Sequence, residues 1–349
     1  MSKVTLSAIA KKASLSIASV SRVLRTPSIT SAQTQSRVYQ AIAELNIDAS
    51  NRITAQTTEI KSNKILILDN QLISKSLINF GLESLLQKEN YQLEYLRFSY
   101  YGKADIYYLV QYITQHAFAG IIIINDAPYL ENLYPFKKAL PPIIFINHFV
   151  RDFSCVYFDH LMIGYQLTQY LINHYHKKIA ILVNDKNKFN TSLLLQGYQQ
   201  ALYRGNISFD PNYLIQDCFT YEHGRLAIKS LLNSTNPPTA IICDDMLSLN
   251  YLDKKYIHNQ NYLSNYRAVF GALHQAKESQ SQLAKPLTIT YISHFKELQY
   301  NELDTLSRIN KPLLKMGEKA ALLMCETIKK NIASPQQCHI IDTEKIFIH

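Results

Sequence analysis

Short apolar runs recur along this chain and alternate with segments of helical spacing, which leaves few folds open to it. The runs are Ile65–Leu68, Ile121–Ile124, Ile143–Ile146, Ile179–Val183 and Ala240–Cys243. None of them alternates apolar with polar residues, so each reads as a strand covered on both faces. Helical periodicity appears near Leu77–Glu89, Ile106–His116, Ile163–Tyr175, Leu193–Arg204 and Tyr221–Leu232, and Tyr91–Phe98 reads as a further strand. Buried strands alternating with helices specify a parallel, doubly wound sheet. The units are too many for one small sheet, so the pattern predicts two doubly wound parallel-sheet subdomains.

The first 47 residues follow another rule. Thr5 can cap a helix from Leu6 to Ala13, with Leu6, Ile9, Ala10 and Ala13 on one face. A break at Ser14-Leu15 follows. Ser16 can cap a second helix through Leu24, with Ile17, Val20, Val23 and Leu24 available for packing; Pro27 and Ser28 end it. Ser31 can cap a third, with Val38, Ile42 and Leu45 at helical spacing. Three short helices, the first two joined by a tight turn, make a helix-turn-helix unit. From Met1 to Ala43 the charged residues are Lys3, Lys11, Lys12, Arg22, Arg25 and Arg37, without one acidic residue, and the whole chain carries +9. Such a unit suits a polyanion. We therefore expect a helix-turn-helix DNA-binding headpiece at 1–47, a polar linker or hinge at 48–63, and an effector-binding and dimerisation domain at 64–349.

Other classes fit less well. The five cysteines are scattered and form no C-x-x-C pair, which fits a reducing compartment and argues against a disulfide framework or a zinc cluster. No metal or other cofactor is expected. No secretory signal and no ~20-residue apolar span is visible, so the protein is expected to be soluble and cytoplasmic, with no membrane partner and no role as a periplasmic receptor. The chain holds neither a G-x-S-x-G elbow nor a G-x-x-x-x-G-K phosphate loop, so an enzyme is not expected. His174 and His176, two apart, would point away from each other on a helix and read as surface histidines. With 9 glycines in 349 residues, glycine-based motifs are unreliable guides.

Val4–Leu24 resembles the DNA-binding headpiece of the lactose-repressor (LacI) family in its order of capping, apolar and basic positions. The continuation Ser31–Leu45, with Thr34, Arg37 and Val38, also fits. A recognition helix in the major groove presents its N-terminal side chains to base edges. Here these are Ile17 and Ala18, with Arg22 one turn on. Arginine can pair with guanine and apolar groups can meet a thymine methyl. Thr5, Ser16, Ser19, Ser21, Arg25, Ser31 and Thr34 can hold phosphates, although each hydroxyl can equally serve as a helix cap. In the family the linker forms a hinge helix that wedges apolar groups into the minor groove. Asp48–Gln56 lacks the usual leucine; Ile53 could replace it, and a plain tether is the other reading.

The likeness extends over nearly the whole chain. Tyr170–Ile179, Leu195–Leu202, Asn236–Cys243, Gly271–Lys277 and Met316–Ala320 are similar to the family's cytidine-repressor branch. The resemblance implies a periplasmic-binding-protein-like fold with three crossovers. Its N-subdomain is expected at about 64–160 plus 290–315, and its C-subdomain at about 161–289 plus 316–349. It also implies a homodimer on pseudo-palindromic double-stranded operator DNA, with a nucleoside or sugar effector bound between the subdomains. Among the family's ligand-holding positions, Asp159 and Asp245 (or Asp244) survive. Leu194 replaces an arginine, Ser293 replaces an aspartate, and Leu72–Lys75 replaces a polar aromatic loop. An insertion at Asn250–Phe270 interrupts the following helix. Each lost buried hydrogen bond costs about 1–3 kcal/mol, so weak or absent effector response is expected, leaving an effector-independent regulator as the alternative.

Overall fold

In the computed structural model the described residues are 5–25, 31, 33–34, 37–38, 40–41, 44–45, 62–69, 77–96, 103–124, 133–134, 136–137, 140–186, 188–245, 267–283, 285–293, 302–330 and 336–348. The hinge residue Ile53, Leu72–Lys75 and residues 250–266 of the insertion lie outside them.

The headpiece opens with α1 (Leu6–Ala13) and α2 (Ile17–Arg25). Thr5 caps α1 by accepting the Ala8 amide at 3.2 Å. Ser14 then turns the chain in the left-handed region (φ 52°), and the Leu15 amide donates to the Ala10 carbonyl at 3.0 Å. Ser16 caps α2 through the Ser19 amide at 3.0 Å. The described residues between 33 and 45 continue in helix. Ile9, Ala10, Ala13, Val20, Val23, Val38 and Ala41 form a closed small core, with Leu15 and Leu45 packed against it.

The remainder contains two sheets. The first joins β1 (Lys64–Asp69), β2 (Gln92–Leu96), β3 (Gly120–Ile124), β4 (Ile143–Ile146), β5 (Ser154–Tyr157) and β11 (Cys338–Ile340) in the order β2-β1-β3-β4-β5-β11. The second joins β6 (Ile179–Leu182), β7 (Leu214–Ile215), β8 (Ala240–Asp245), β9 (Thr288–Ser293), β10 (Arg308–Asn310) and β12 (Glu344–Ile346) in the order β7-β6-β8-β9-β10-β12. The two orders are the same, and strands β1 to β5 and β6 to β10 pair in parallel; only β12 runs antiparallel, against β10. The intervening helices are α3 (Leu77–Leu86), α4 (Lys103–His116), α5 (His160–Asn173), α6 (Phe189–Arg204), α7 (Tyr221–Leu232), α8 (Ala268–Glu278) and α9 (Leu313–Lys330). The doubly wound pair expected from the apolar runs is therefore present.

The crossing points differ from the expected boundaries. The chain divides after Val156, after Met316 and after Cys338. The segment 290–315 was expected in the N-subdomain, yet Thr288–Ser293 pairs with β8 and Arg308–Asn310 with β9, both in the second sheet. Residues Gly317–Cys338, expected in the second unit, belong to the first. The reason is packing: α9 buries Met316, Ala320, Ala321, Leu323 and Met324, and Gly120 on β3 leaves the space that the Met324 sulfur fills. The Lys329–Glu89 ion pair at 2.6 Å adds a surface contact within that unit.

In the second unit two helix pairs approach more closely than a β-carbon allows. A Cβ on Gly164 would lie 2.1 Å from the Leu194 carbonyl oxygen, and one on Gly197 would lie 1.9 Å from that of Leu161, so α5 and α6 notch into each other. Gly224 and Gly271 make the same reciprocal contact between α7 and α8, at 2.0 Å and 1.8 Å from the carbonyl oxygens of Ala268 and Tyr221. Four of nine glycines thus serve helix contact. Gly197→Ala should lower stability by about 1–3 kcal/mol through overpacking, despite the ~1 kcal/mol of helix propensity that alanine adds. Urea denaturation checks this; an unchanged or raised midpoint would contradict the notch.

Candidate functional site

Two surfaces carry chemistry. On the headpiece, the start of α2 exposes Ile17 (52% accessible), Ala18 and Arg22, while the same helix buries Val20 and Val23. The spacing that seals the core thus turns the base-reading candidates outward. The hydroxyl residues are occupied locally. Ser16 and Ser19 hydroxyls lie 2.8 Å apart, as do those of Ser31 and Thr34, and the Thr34 amide donates to Ser31 at 3.2 Å. Ser21 is half-buried, and only the backbone of Arg25 is described. Arg37 supplies what its charge did not suggest: its guanidinium donates to the carbonyls of Ala13 at 2.7 Å and Ser14 at 2.9 Å, bracing the turn between α1 and α2. Lys12 pairs with Glu44 at 3.2 Å.

The second surface is the C-terminal edge of the second sheet, where doubly wound sheets bind ligands. Asn184 follows β6, and Asp244 ends β8; both are buried. Ser293 ends β9 and Asn310 ends β10, also buried. The Lys311 amide donates to the Ser293 carbonyl at 2.8 Å. Its side chain is 4% accessible and its ammonium donates to His160 Nε2 at 3.2 Å, with the Phe158 ring centroid 5.7 Å away. Burial pulls the Lys311 ammonium down to about 8, partly offset by Asp244. Among the described residues, the Oδ1 atoms of Asn184 and Asn310 have no hydrogen-bond partner.

The expected pocket residues fare differently. Asp159 caps α5, its carboxylate accepting the Met162 amide at 2.9 Å. Asp245 stands opposite Ser293 in the β8–β9 register, but its side chain lies outside the described residues; Asp244 is the carboxylate whose field reaches Lys311. Leu194 is buried, with its carbonyl in the Gly164 notch, and so reads as a core residue. Sequence reading missed Asn184, His160, Asn310 and Lys311 as site members. The one signal was a lysine directly before Pro312 at the end of a short apolar stretch. His174 and His176 do keep separate partners, the Tyr170 carbonyl at 2.8 Å and the Thr239 hydroxyl at 3.0 Å.

Lys311 gives a signed pH expectation. Its folded pKa is depressed below 10.5, so the unfolded chain holds the proton more tightly and stability rises with pH between about 8 and 10.5. Below that window the buried cation opposes folding. Lys311→Met should therefore melt higher than the parent at pH 7, with the gap closing by about pH 10. Thermal melts of both proteins at both pH values check this, and a variant equally destabilised at the two would contradict it.

Comparison with known proteins places these surfaces. Residues 5–48 match the family of bacterial regulatory proteins called lacI, and residues 74–248 match the family of periplasmic binding proteins and sugar binding domains of the LacI family. The transcriptional repressor CytR of Escherichia coli K12 is 25% identical over 330 residues, covering 93% of this chain and 90% of that protein. The ribose operon repressor of Haemophilus influenzae is 25% identical over 247 residues, covering 68% and 72%. The structure of a transcriptional regulator CelR–cellobiose complex aligns with a TM-score of 0.64 at 18% identity, covering 98% of each chain. The chain belongs to the LacI family of bacterial regulatory proteins.

Proposed function

We propose that this protein is a transcriptional repressor that binds a pseudo-palindromic operator as a homodimer. The observation that carries the reading is the outward face of α2, where Ile17, Ala18 and Arg22 project from a helix whose other side closes the headpiece core. Arg22 reads a base, while Arg25 and the exposed hydroxyl edge of Thr5, Ser16, Ser19, Ser21, Ser31 and Thr34 meet phosphates. Arg37 positions the two helices. One headpiece buries little surface, so specific affinity needs two of them on one duplex. Exposed Phe80 on α3, Leu322 on α9 and Leu226 on α7 offer apolar area for the chain–chain contact. Among the described residues no helix is long and apolar enough to cross a membrane, and we place the protein in the cytoplasm and assign it no catalytic reaction.

For the effector, we read the edge formed by Asn184, Asp244, Ser293 and Asn310 as a retained polar ligand site. A buried amide oxygen without a partner costs about 1–3 kcal/mol, and two of them at one sheet edge favour a ligand donor there. Leu194 favours a weakened grip on a nucleoside or sugar, since it offers no hydrogen bond where the family uses arginine. Ile53 remains the hinge residue under this reading.

Two measurements test these statements. Arg22→Ala should cost about 1–3 kcal/mol of operator affinity and relax preference at one base pair; unchanged preference would mean that α2 docks otherwise. Calorimetry with cytidine, adenosine, uridine and common hexoses should give heat for at least one, lost in Asp244→Ala. Silence from all of them would establish the effector-independent alternative.

A further inference from the structure

Cys155 and Cys338 are far apart in sequence and adjacent in the first sheet. The Cys155 amide donates to the Gln337 carbonyl at 2.9 Å, and the Ile341 amide donates to the Tyr157 carbonyl at 2.9 Å. In a parallel ladder this pattern sets Cys155 directly opposite Cys338. The thiols share a neighbour: the Phe153 carbonyl oxygen is 3.3 Å from the Cys155 sulfur and 4.0 Å from that of Cys338. They also hydrogen-bond each other. Paired strands lie ~4.8 Å apart, inside the ~4.4–6.8 Å span between Cα atoms that a disulfide needs. Cys155 is buried, whereas Cys338 is exposed on the edge strand β11. Both stand at chain crossings, one just before the division after Val156 and the other at the division after Cys338.

We propose that Cys155 and Cys338 form a reversible regulatory disulfide when the protein meets a hydroperoxide. The exposed Cys338 thiolate attacks the peroxide oxygen; the O–O bond breaks and the departing oxygen leaves as water or alcohol. Cys338 becomes a sulfenic acid. The Cys155 sulfur then attacks the Cys338 sulfur, the S–O bond breaks, and hydroxide leaves with the Cys155 proton as a second water. Two thiols are oxidised and one peroxide is reduced by the same two electrons. Burial pushes the Cys155 thiol up to about 12, which makes Cys338 the first attacker and the closing step faster at higher pH. The bond ties together the two strands at which the chain leaves the first unit, so oxidation restrains the backbone there. Disulfides of this kind in reducing compartments are typically redox-sensing.

The test treats the full-length reduced protein with hydrogen peroxide, followed by thiol counting, non-reducing electrophoresis and peptide mapping. The expected result is loss of two of the five thiols per chain, a linked Cys155–Cys338 peptide, faster migration, and reversal by dithiothreitol. Cys338→Ser, on the exposed edge, should abolish the link and leave five-minus-one thiols unreacted at the same dose. Cys155→Ser should leave a Cys338 sulfenic acid that dimedone traps. Oxidation of Cys338 in the parent protein with Cys155 still a free thiol, or a link joining other cysteines or two chains, would overturn the proposal.

Discussion

A parallel sheet must be covered on both faces, and the architecture of this chain follows from that requirement. Strands such as Gly120–Ile124 and Ile179–Leu182 are buried along their whole length, so helices must seal them from two sides. In the second unit the seal depends on carbonyl-to-glycine contacts between α5 and α6 and between α7 and α8, where no side chain intervenes. With both faces closed, only the strand ends remain for binding. The end of each parallel strand is also where backbone groups run out of ladder partners, and there the chain gathers Asn184, Asp244, Ser293, Asn310 and Lys311. Fold and candidate ligand site are thus two consequences of one packing demand.

The headpiece solves a harder problem with less material. Seven small or branched side chains close its core, and such a core cannot fix the angle between two helices by volume alone. The left-handed Ser14 and the two carbonyls held by Arg37 set that angle instead. Arg37 therefore acts through the turn, and its removal would disturb the presentation of Ile17 and Arg22 rather than delete a contact of its own.

The legibility of the sequence followed the strength of local signals. Thr5 and Ser16 announced α1 and α2, because a hydroxyl before an apolar period has one good use. The isoleucine runs announced the central strands. Short strands such as Arg308–Asn310, Cys338–Ile340 and Glu344–Ile346 left no such mark, since three residues at a sheet edge carry almost no periodicity. The crossing points were misplaced for the same reason: a chain that leaves one sheet for another does so without a local signature, and only Gly120 beneath Met324 reveals where α9 belongs. Asp159 looked like a ligand residue and is a helix cap. Lys311 and His160 escaped notice because buried bases contradict the rule by which charged residues are read as exposed. The cysteine pair escaped because spacing along the chain says nothing of strands that meet across it.

The central claim is that paired copies of α2 read DNA from adjacent major-groove faces. Methylation-interference footprinting of the full-length protein on its selected operator tests it most directly. The account predicts two symmetric clusters of major-groove guanine contacts, about one helical turn apart on the same face of the duplex, both lost together in Arg22→Ala. A single cluster with full affinity, or protection without sequence preference, would contradict it.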